Sequence, residues 1–285
     1  MKKIILFIFT LSSFACIGQN CELNVMTFNI RMDNASDGIN VWQNRKEFAA
    51  NCIAFYNADI VGLQEALHHQ LNDLKQYLPD YESVGVGRQD GKTGGEYSAI
   101  LYKKSRFDLI ETETFWLSEN PEAIGQKGWD AACERVVTWA KLKDRNSGRV
   151  FLFVNTHFDH IGQIARMESS KLLLSKIKQI AGGLPAIVTG DFNASATNEA
   201  IRFLTDKSNP DGLADTRELA PLKYGPSGSF HNFGRIPPEN QSIIDYIFIK
   251  GNIQVLRYGI LDDSIEGKIY LSDHNPVFCT VLVEK

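Results

Sequence analysis

The sequence has little of several features that would have restricted its class. After its first 18 residues it has no long apolar run, which excludes a polytopic membrane protein. Glycine and proline are not enriched, at 22 and 9 of 285 residues, which excludes collagenous and low-complexity chains. No two of its five cysteines have CxxC spacing, so zinc-ribbon and thioredoxin-type sites are not expected. A chain with 44% hydrophobic residues remains, long enough for a large globular core.

The first residues predict an export signal. Met1-Lys2-Lys3 supplies positive charge, Ile4 to Ile8 begins a short apolar stretch, and Ala15 to Gln19 provides a small-residue exit. The apolar stretch is too short to span a bilayer, so we predict a signal peptide over residues 1–18 and a domain over residues 22–285. The protein is then expected in the periplasm or outside the cell. A loose lipobox around Cys16 leaves a lipid anchor at that cysteine as an alternative.

Export alters the charge and the chemistry available to the cysteines. Without Lys2 and Lys3, 28 basic residues face 34 acidic ones, a net charge of about -6. Such a chain lacks the basic stripe that neutralises nucleic-acid phosphates, which argues against a processive DNA-binding protein. An exported chain is free to form disulfides between its remaining cysteines, but spacing alone does not pair them.

Apolar runs of strand type alternate with helical spacing along the whole chain. We predict helices over residues 45–56, 67–78 and 163–180, and strands over residues 23–30, 60–64, 98–102, 107–115, 135–143, 150–156, 186–190, 243–250, 253–261 and 277–283. This alternation, with several adjacent strands, predicts β-sheets packed face to face under helices. No linker or repeat interrupts it, so we expect one domain.

Polar residues of catalytic type stand where these strands end or begin. They occur in the segments Asn29-Ile30-Arg31, Gln64-Glu65, Asn155-Thr156-His157, Gly190-Asp191-Phe192-Asn193, Ile244-Asp245-Tyr246 and Ser272-Asp273-His274. Each has a plain structural interpretation when taken singly: Glu65, for example, is suited to capping the helix from Leu67. Six such coincidences in one chain favour a shared site instead. Carboxylate and amide oxygens without thiolates suit Mg²⁺ or Mn²⁺, and histidines beside carboxylates suit phosphate binding and proton transfer.

This ordered set of segments resembles the endonuclease/exonuclease/phosphatase superfamily, which includes deoxyribonuclease I and the inositol polyphosphate 5-phosphatases. The resemblance covers the whole chain after the predicted signal peptide and points to an exported, Bacteroidetes-type member. It implies an α/β fold, a four-layer α/β/β/α sandwich in which two mixed β-sheets pack face to face. It also implies a metal site at one rim of that sandwich.

The resemblance further implies a role for each motif residue. Glu65 would be the main metal ligand, with Asn29 and Asp273 contributing to the site. Asp191 would position or deprotonate the attacking water, and Asn193 would hold that water or the phosphate. His274, oriented by Asp245, and His157 would both face the phosphate.

Two further residues complete the predicted site. Arg135 stands where relatives place a phosphate contact, and a guanidinium can grip a phosphate with two hydrogen bonds. Glu96 follows Gly94-Gly95 and precedes a strand; in deoxyribonuclease I-like relatives a glutamate at this place orients a histidine. We therefore predict that Glu96 hydrogen-bonds His157 and raises its pKa, the alternative being a solvated glutamate in a glycine-rich loop.

These features predict an exported, Mg²⁺- or Mn²⁺-dependent phosphoesterase. A phosphodiesterase acting on small, sugar-linked or lipid-linked phosphodiesters is favoured, by in-line attack of an activated water. A secreted non-specific nuclease is one alternative, in which nucleic acid would be the partner, and a catalytically inactive phosphate-binding module is another. No transmembrane segment and no protein partner are implied.

Overall fold

The computed structural model describes residues 21–284. The predicted signal peptide over residues 1–18 and the alternative lipid site at Cys16 lie outside the described residues, and so does Lys285. Within residues 21–284, none of the helices has both the length and the apolar character needed to span a bilayer.

Fifteen strands and five α-helices make up the described part of the chain. The strands are β1 Cys21–Asn29, β2 Ile60–Ala66, β3 Tyr81–Val84, β4 Tyr97–Lys103, β5 Phe107–Trp116, β6 Val136–Asp144, β7 Val150–His157, β8 Ala186–Asp191, β9 Ala214–Asp215, β10 Lys223–Tyr224, β11 Asp245–Lys250, β12 Ile253–Ile260, β13 Ser264–Ile265, β14 Ile269–Tyr270 and β15 Val277–Val283. The helices are α1 Trp42–Phe55, α2 His68–Tyr77, α3 Gln163–Ala181, α4 Glu199–Leu204 and α5 Thr216–Leu219. Short 3₁₀ helices cover Ala35–Asn40 and Pro238–Asn240.

Two large mixed sheets form the centre of the molecule. The first has the strand order β10-β12-β15-β1-β2-β4-β3, and the second has the order β5-β6-β7-β8-β11-β9. Strands β13 and β14 pair separately. Side chains alternate between the two faces of a strand, and β1 shows the consequence. Leu23 and Val25 pack between the sheets, whereas Met26 and Phe28 pack on the opposite, helix-covered face.

Helices cover the outer face of each sheet. Trp42 of α1 and Leu71 of α2 belong to the same buried cluster as Phe28 of the first sheet. Leu173 of α3 packs in a third buried cluster with Val154 of the second sheet. The layer order is therefore helix, sheet, sheet, helix, which confirms the predicted four-layer α/β/β/α sandwich.

The sheet register gathers the polar strand ends at one edge of the sandwich. The parallel strands β1 and β2 place Asn29 beside Gln64, and the parallel strands β7 and β8 place His157 beside Asp191. Strand β11 runs antiparallel to β8, so its first residue, Asp245, also lies opposite Asp191. A motif at the end of one strand thereby meets a motif at the start of another.

The predicted strands and helices are all present, with ends that differ by up to three residues. The sequence analysis missed β3, α4 and α5, which are four to six residues long, and the two-residue strands β9, β10, β13 and β14. Elements of that length show too few repeats of a hydrophobic period to be recognised. Strand β11 starts at Asp245 rather than at residue 243. The described cysteines Cys21, Cys52, Cys133 and Cys279 are free thiols, three of them buried.

Candidate active site

A cavity of about 330 Å³ opens at the edge where the polar strand ends meet. It is lined by Arg31, Met32, Glu65, Arg88, Glu96, Cys133, Arg135, His157, His160, Asp191, Asn193, Phe230, Asp273 and His274. All of the predicted site residues line it except Asn29 and Asp245, which are buried and hydrogen-bond residues of its wall. A larger cavity of about 610 Å³, beside Phe55 and Tyr224, contains none of the predicted residues. Chemistry rather than size therefore identifies the candidate site.

His274 is held between two carboxylates. Its Nδ1 lies 2.9 Å from Asp245 Oδ2, and its Nε2 lies 3.7 Å from Asp191 Oδ2. Asp245 is fixed in turn by the hydroxyl of Ser229, which donates to Oδ2 at 2.6 Å. Burial alone would lower the pKa of His274, but Asp245 and Asp191 outweigh it and hold that pKa well above its ordinary value. Asn29 Nδ2 also lies 3.4 Å from Nε2, and the raised pKa favours the protonated form of this buried imidazole.

Asp191 lies at the centre of the cavity wall and is 1% exposed. Its Oδ1 accepts the backbone N–H of Asn193 at 2.9 Å, and its Oδ2 accepts Asn29 Nδ2 at 3.0 Å. Burial and the nearby carboxylate of Asp245 raise the pKa of Asp191, whereas His274 and these two hydrogen bonds oppose the rise. A carboxylate with a raised pKa is suited to accept a proton near neutral pH.

His157 also lies beside Asp191, whose Oδ2 is 3.4 Å from its Nε2, but the charges of two arginines act on it too. Asn193 Nδ2 lies 3.0 Å from its Nε2 and also donates to the carbonyl of Phe158 at 3.0 Å. Burial lowers the pKa of His157 well below its ordinary value, and the positive charges of Arg135 and Arg88 lower it further. His157 is therefore a neutral imidazole, and Nε2 accepts the hydrogen bond from Asn193.

Glu96 does not contact His157 as the sequence analysis predicted. Its Oε1 lies 2.7 Å from Arg88 Nη2, and its Oε2 accepts Arg88 Nη1 at 2.8 Å. Within residues 21–284, no hydrogen bond joins Glu96 to His157. The reason is local, because the backbone N–H of Arg88 donates to the Glu96 carbonyl at 3.0 Å and folds the glycine-rich loop so that the two side chains meet. The expected rise in the pKa of His157 is also wrong, since its pKa is lowered.

Glu65 accepts hydrogen bonds that converge on the cavity. Its Oε1 accepts Asn29 Nδ2 at 3.0 Å, and its Oε2 accepts the backbone N–H of Met32 at 3.2 Å. At the start of α2, the backbone N–H of Leu67 donates to Gln70 Oε1 instead. Glu65 therefore does not cap this helix, which removes the structural interpretation that the sequence left open. Both of its oxygens remain on the cavity side.

Asp273 and Arg31 complete the acidic end of the cavity. Arg31 Nη1 lies 3.6 Å from Glu65 Oε2, and Arg31 Nε lies 3.9 Å from Asp273 Oδ2. Burial raises the pKa of Asp273, and the neighbouring carboxylate of Glu65 adds to that rise. Burial also acts to raise the pKa of Glu65, but hydrogen bonding from Asn29 and the charges of His274 and Arg31 lower it on balance.

The donor set at this end fits a hard divalent cation. Four buried or half-buried carboxylates lie there, Glu65, Asp191, Asp245 and Asp273, with Arg31 and His274 as their cationic neighbours. The excess negative charge and the oxygen donors suit Mg²⁺ or Mn²⁺ better than softer metals. Glu65 and Asp273 would hold the ion.

Two groups are less free to act as metal ligands. Asn29 directs its Nδ2 to Glu65 and Asp191, and its Oδ1 accepts the backbone N–H of Arg31 at 3.0 Å. The polar atoms of Asp191, Asp245 and His274 lie within 4.8 Å of one another, close enough for a metal ion. However, Nδ1 of His274 is paired with Asp245, and its Nε2 faces Asn29 Nδ2 at 3.4 Å. We therefore interpret these three residues as a proton-handling group and Asn29 as a bridge between carboxylates.

Arg135 forms the cationic end of the cavity and is 5% exposed. Its Nη2 lies 3.0 Å from His160 Nδ1, and its Nε lies 3.5 Å from Asp159 Oδ2. Its Nη1 is buried and has no hydrogen-bond partner within residues 21–284. Although polar atoms of Cys133, Asp159 and His160 also cluster, the Asp159 oxygens already accept four backbone N–H groups. That cluster therefore positions Arg135 and leaves Nη1 for another acceptor.

The sequence analysis assigned no role to three residues of the site. Arg31 ends the strand motif that contains Asn29, and its position two residues after Asn29 is a signal that could have placed it in the site. Arg88 lies in the glycine-rich loop, where no pattern distinguishes it from a solvated side chain. Ser229 acts through Asp245, sixteen residues later, and a lone serine in a loop gives no signal at all.

Comparison with known proteins agrees with this geometry. The model of the Endonuclease/Exonuclease/phosphatase family matches residues 26–274. The chain is 44% identical to a Bacteroides vulgatus protein of solved structure described as an endonuclease/exonuclease/phosphatase. The match covers 92% of this chain and 99% of that one, with a TM-score of 0.89.

Two further relatives have more specific names. A mannosyl-6-phosphatase of solved structure from Bacteroides thetaiotaomicron is 39% identical, with 91% of this chain and 99% of that chain covered and a TM-score of 0.85. The CCR4-Not complex 3'-5'-exoribonuclease subunit Ccr4 of Mycosarcoma maydis is 24% identical. That match covers 81% of this chain but only 44% of the fungal protein, so the chain spans less than half of its length.

Proposed function

This chain belongs to the Endonuclease/Exonuclease/phosphatase family, and we propose that it hydrolyses small, sugar-linked phosphoesters with the help of a divalent cation, Mg²⁺ or Mn²⁺. One observation carries the proposal. A single cavity combines a histidine held between two carboxylates, a carboxylate with a raised pKa and an arginine whose Nη1 has no hydrogen-bond partner within residues 21–284. These are the groups that phosphoryl transfer to water requires.

Each group has a distinct part in the reaction. Asp191 accepts the proton of the water that attacks phosphorus, for which its raised pKa suits it. The His274 cation, held by Asp245, donates a hydrogen bond from Nε2 to a phosphoryl oxygen and stabilises the charge that develops there. As the bond from phosphorus to the leaving oxygen breaks, that oxygen takes a proton from His274 or from solvent.

The remaining residues bind the phosphoryl group and the cation. Arg135 offers Nη1 to a phosphoryl oxygen, while Asp159 and His160 hold the other side of its guanidinium. The neutral His157 and Asn193 line the cavity between the two ends. Glu65 and Asp273 would hold a divalent ion, which would supply charge neutralisation at the phosphoryl group.

The cationic end of the cavity favours a phosphomonoester over the phosphodiester expected from the sequence. Arg88 is paired with Glu96, but Arg135 lines the cavity with no hydrogen-bond partner for its Nη1 within residues 21–284, and a terminal phosphate at neutral pH has three free oxygens and close to two negative charges. A diester has two free oxygens and one charge. The Bacteroides thetaiotaomicron relative, named a mannosyl-6-phosphatase, supports the same choice and a sugar as the leaving group.

A substrate panel tests the proposal. Purified protein is assayed with Mg²⁺, with Mn²⁺ and with a chelator, on hexose 6-phosphates, bis-p-nitrophenyl phosphate, single-stranded RNA and plasmid DNA. We expect chelator-sensitive release of phosphate, fastest from hexose 6-phosphates, and its loss in Asp191→Asn. Fastest cleavage of RNA or DNA would favour the nuclease instead. Phosphate binding without turnover of any substrate would favour the inactive module.

We propose in addition that the protein is exported, as residues 1–18 predict. Expression of the full chain in a Bacteroides host, followed by mass spectrometry of the N-terminus, tests this. Cleavage near Gly18 is expected. A lipid on Cys16 would indicate an anchored form, and an intact N-terminus on the cytoplasmic protein would contradict export.

A further inference from the structure

Arg31 directs its guanidinium at the acidic end of the cavity. The side chain is 26% exposed, and its Nη1 and Nε lie 3.6 Å from Glu65 Oε2 and 3.9 Å from Asp273 Oδ2. Its main partner is Asp37, which accepts Nε at 3.2 Å and Nη2 at 3.3 Å. The guanidinium therefore pairs with Asp37 and also lies within ion-pair distance of both carboxylates assigned to the cation.

The backbone around Arg31 is built to hold this position. Arg31 has a φ of +55°, a region that L-residues seldom adopt. Its carbonyl accepts Arg45 Nη2 at 2.7 Å and Gln70 Nε2 at 2.9 Å, and its N–H donates to Asn29 Oδ1 at 3.0 Å. Three fixed contacts on one residue keep it in an unfavourable backbone conformation. The direction of the side chain is thus a property of the fold rather than of a loose surface arginine.

We propose that Arg31 is an internal counter-ion that sets how tightly this site binds its divalent cation. Without the cation, the guanidinium compensates the charges of Glu65 and Asp273, which burial would otherwise penalise. A cation held by Glu65 and Asp273 would meet the positive charge of Arg31, which Asp37 would continue to pair. The inference rests on the proposed function, because it takes Glu65 and Asp273 as the ligands.

The two effects of Arg31 have opposite signs and can be measured separately. Loss of its charge removes compensation from the cation-free protein, so that form becomes less stable. The same loss removes a repulsion from the cation-bound protein, so affinity rises. At the separations observed, a unit charge near the protein surface changes cation affinity by about tenfold or more.

Titration calorimetry and thermal unfolding of the full-length protein with Mn²⁺ test this role of Arg31. The variants are Arg31→Gln, Arg31→Lys, which keeps the charge, and Arg88→Gln. The last is a matched control, because Arg88 lines the same cavity but pairs with Glu96. We expect Arg31→Gln to have a lower melting temperature than the wild type without Mn²⁺ and a larger rise in melting temperature when Mn²⁺ is added. We also expect this variant to bind Mn²⁺ about tenfold more tightly. Arg31→Lys and Arg88→Gln should bind it as the wild type does.

The measured affinities and the folding of the variants decide whether Arg31 is a counter-ion. An Arg31→Gln protein that binds Mn²⁺ no more tightly than the wild type overturns the counter-ion role. So does tighter binding by Arg31→Lys, since its charge is retained. If Arg31→Gln folds only with Mn²⁺ present, the inference is supported; if saturating Mn²⁺ does not restore folding, it is overturned. A wild-type protein that binds no divalent cation would instead contradict the metal dependence in the proposed function.

Discussion

The two histidines of the cavity face the same space but carry different charges. His274 and His157 are both buried, at 4% and 6% exposure. Burial lowers the pKa of each, yet the final shifts are opposite in direction. Asp245 and Asp191 raise the pKa of His274, whereas the charges of Arg135 and Arg88 lower that of His157, although Asp191 Oδ2 also lies 3.4 Å from it. Because burial acts on both histidines in the same direction, neighbouring charge accounts for the opposite shifts of their pKa values.

Removal of His274 is expected to have the largest effect. In His274→Gln the hydrogen-bond donor remains but the cation is lost, and we expect kcat/KM to fall by about 10³-fold. The same change at His157, which is already neutral, should cost much less. Steady-state kinetics on a hexose 6-phosphate measures both variants, with thermal unfolding to show that each is folded. Equal losses of kcat/KM in the two variants would contradict the different roles of the two histidines.

Loss of the Asp245 charge should make His274 resemble His157. Because Asp245 raises the pKa of His274, Asp245→Asn should lower that pKa and shift the alkaline limb of the pH–rate profile to lower pH. We expect kcat to fall by about 10²-fold. Cation affinity, measured by titration calorimetry, should hardly change. A large loss of affinity would instead make Asp245 a direct ligand of the cation.

Loss of the Arg135 charge should have the opposite effect on His157. Its charge lowers the pKa of His157, and its free Nη1 is assigned to the phosphoryl group. Arg135→Gln should therefore raise KM for a phosphomonoester by about tenfold and leave kcat within a factor of a few. A nuclear magnetic resonance titration should show a higher pKa for His157 in this variant than in the wild type. A fall in kcat with an unchanged KM would contradict phosphate binding by this side chain.

Glu96 should have the smallest effect. It pairs with Arg88 and not with His157, so Glu96→Gln should change kcat/KM by no more than about threefold. Combined with His157→Ala, its effect should multiply independently, because the two residues do not act as a unit. Strong non-additivity, measured by a double-mutant cycle, would restore the pairing that the sequence suggested.

The sequence predicted the sandwich and most of the site because both depend on patterns along the chain. Strand alternation in β1 and β15 and helical spacing in α3 are local signals, and motifs such as Asn29-Ile30-Arg31 end the strands that bring them together. The partners of Glu96 and Ser229 depend instead on how loops fold back across the cavity. The contact between Arg88 and Glu96 follows from a backbone hydrogen bond inside a glycine-rich loop, which residue types do not specify.

The charge of the two imidazoles is the most direct test of the central claim. Side-chain nitrogen resonances of cation-free protein, assigned with His274→Gln and His157→Gln, report protonation of each ring as pH changes. An unperturbed histidine titrates near pH 6.5. The account predicts that His274 is still protonated on both nitrogens well above that pH, while His157 is still neutral below it. Titration of both rings together near pH 6.5 would contradict the difference in charge between the two imidazoles.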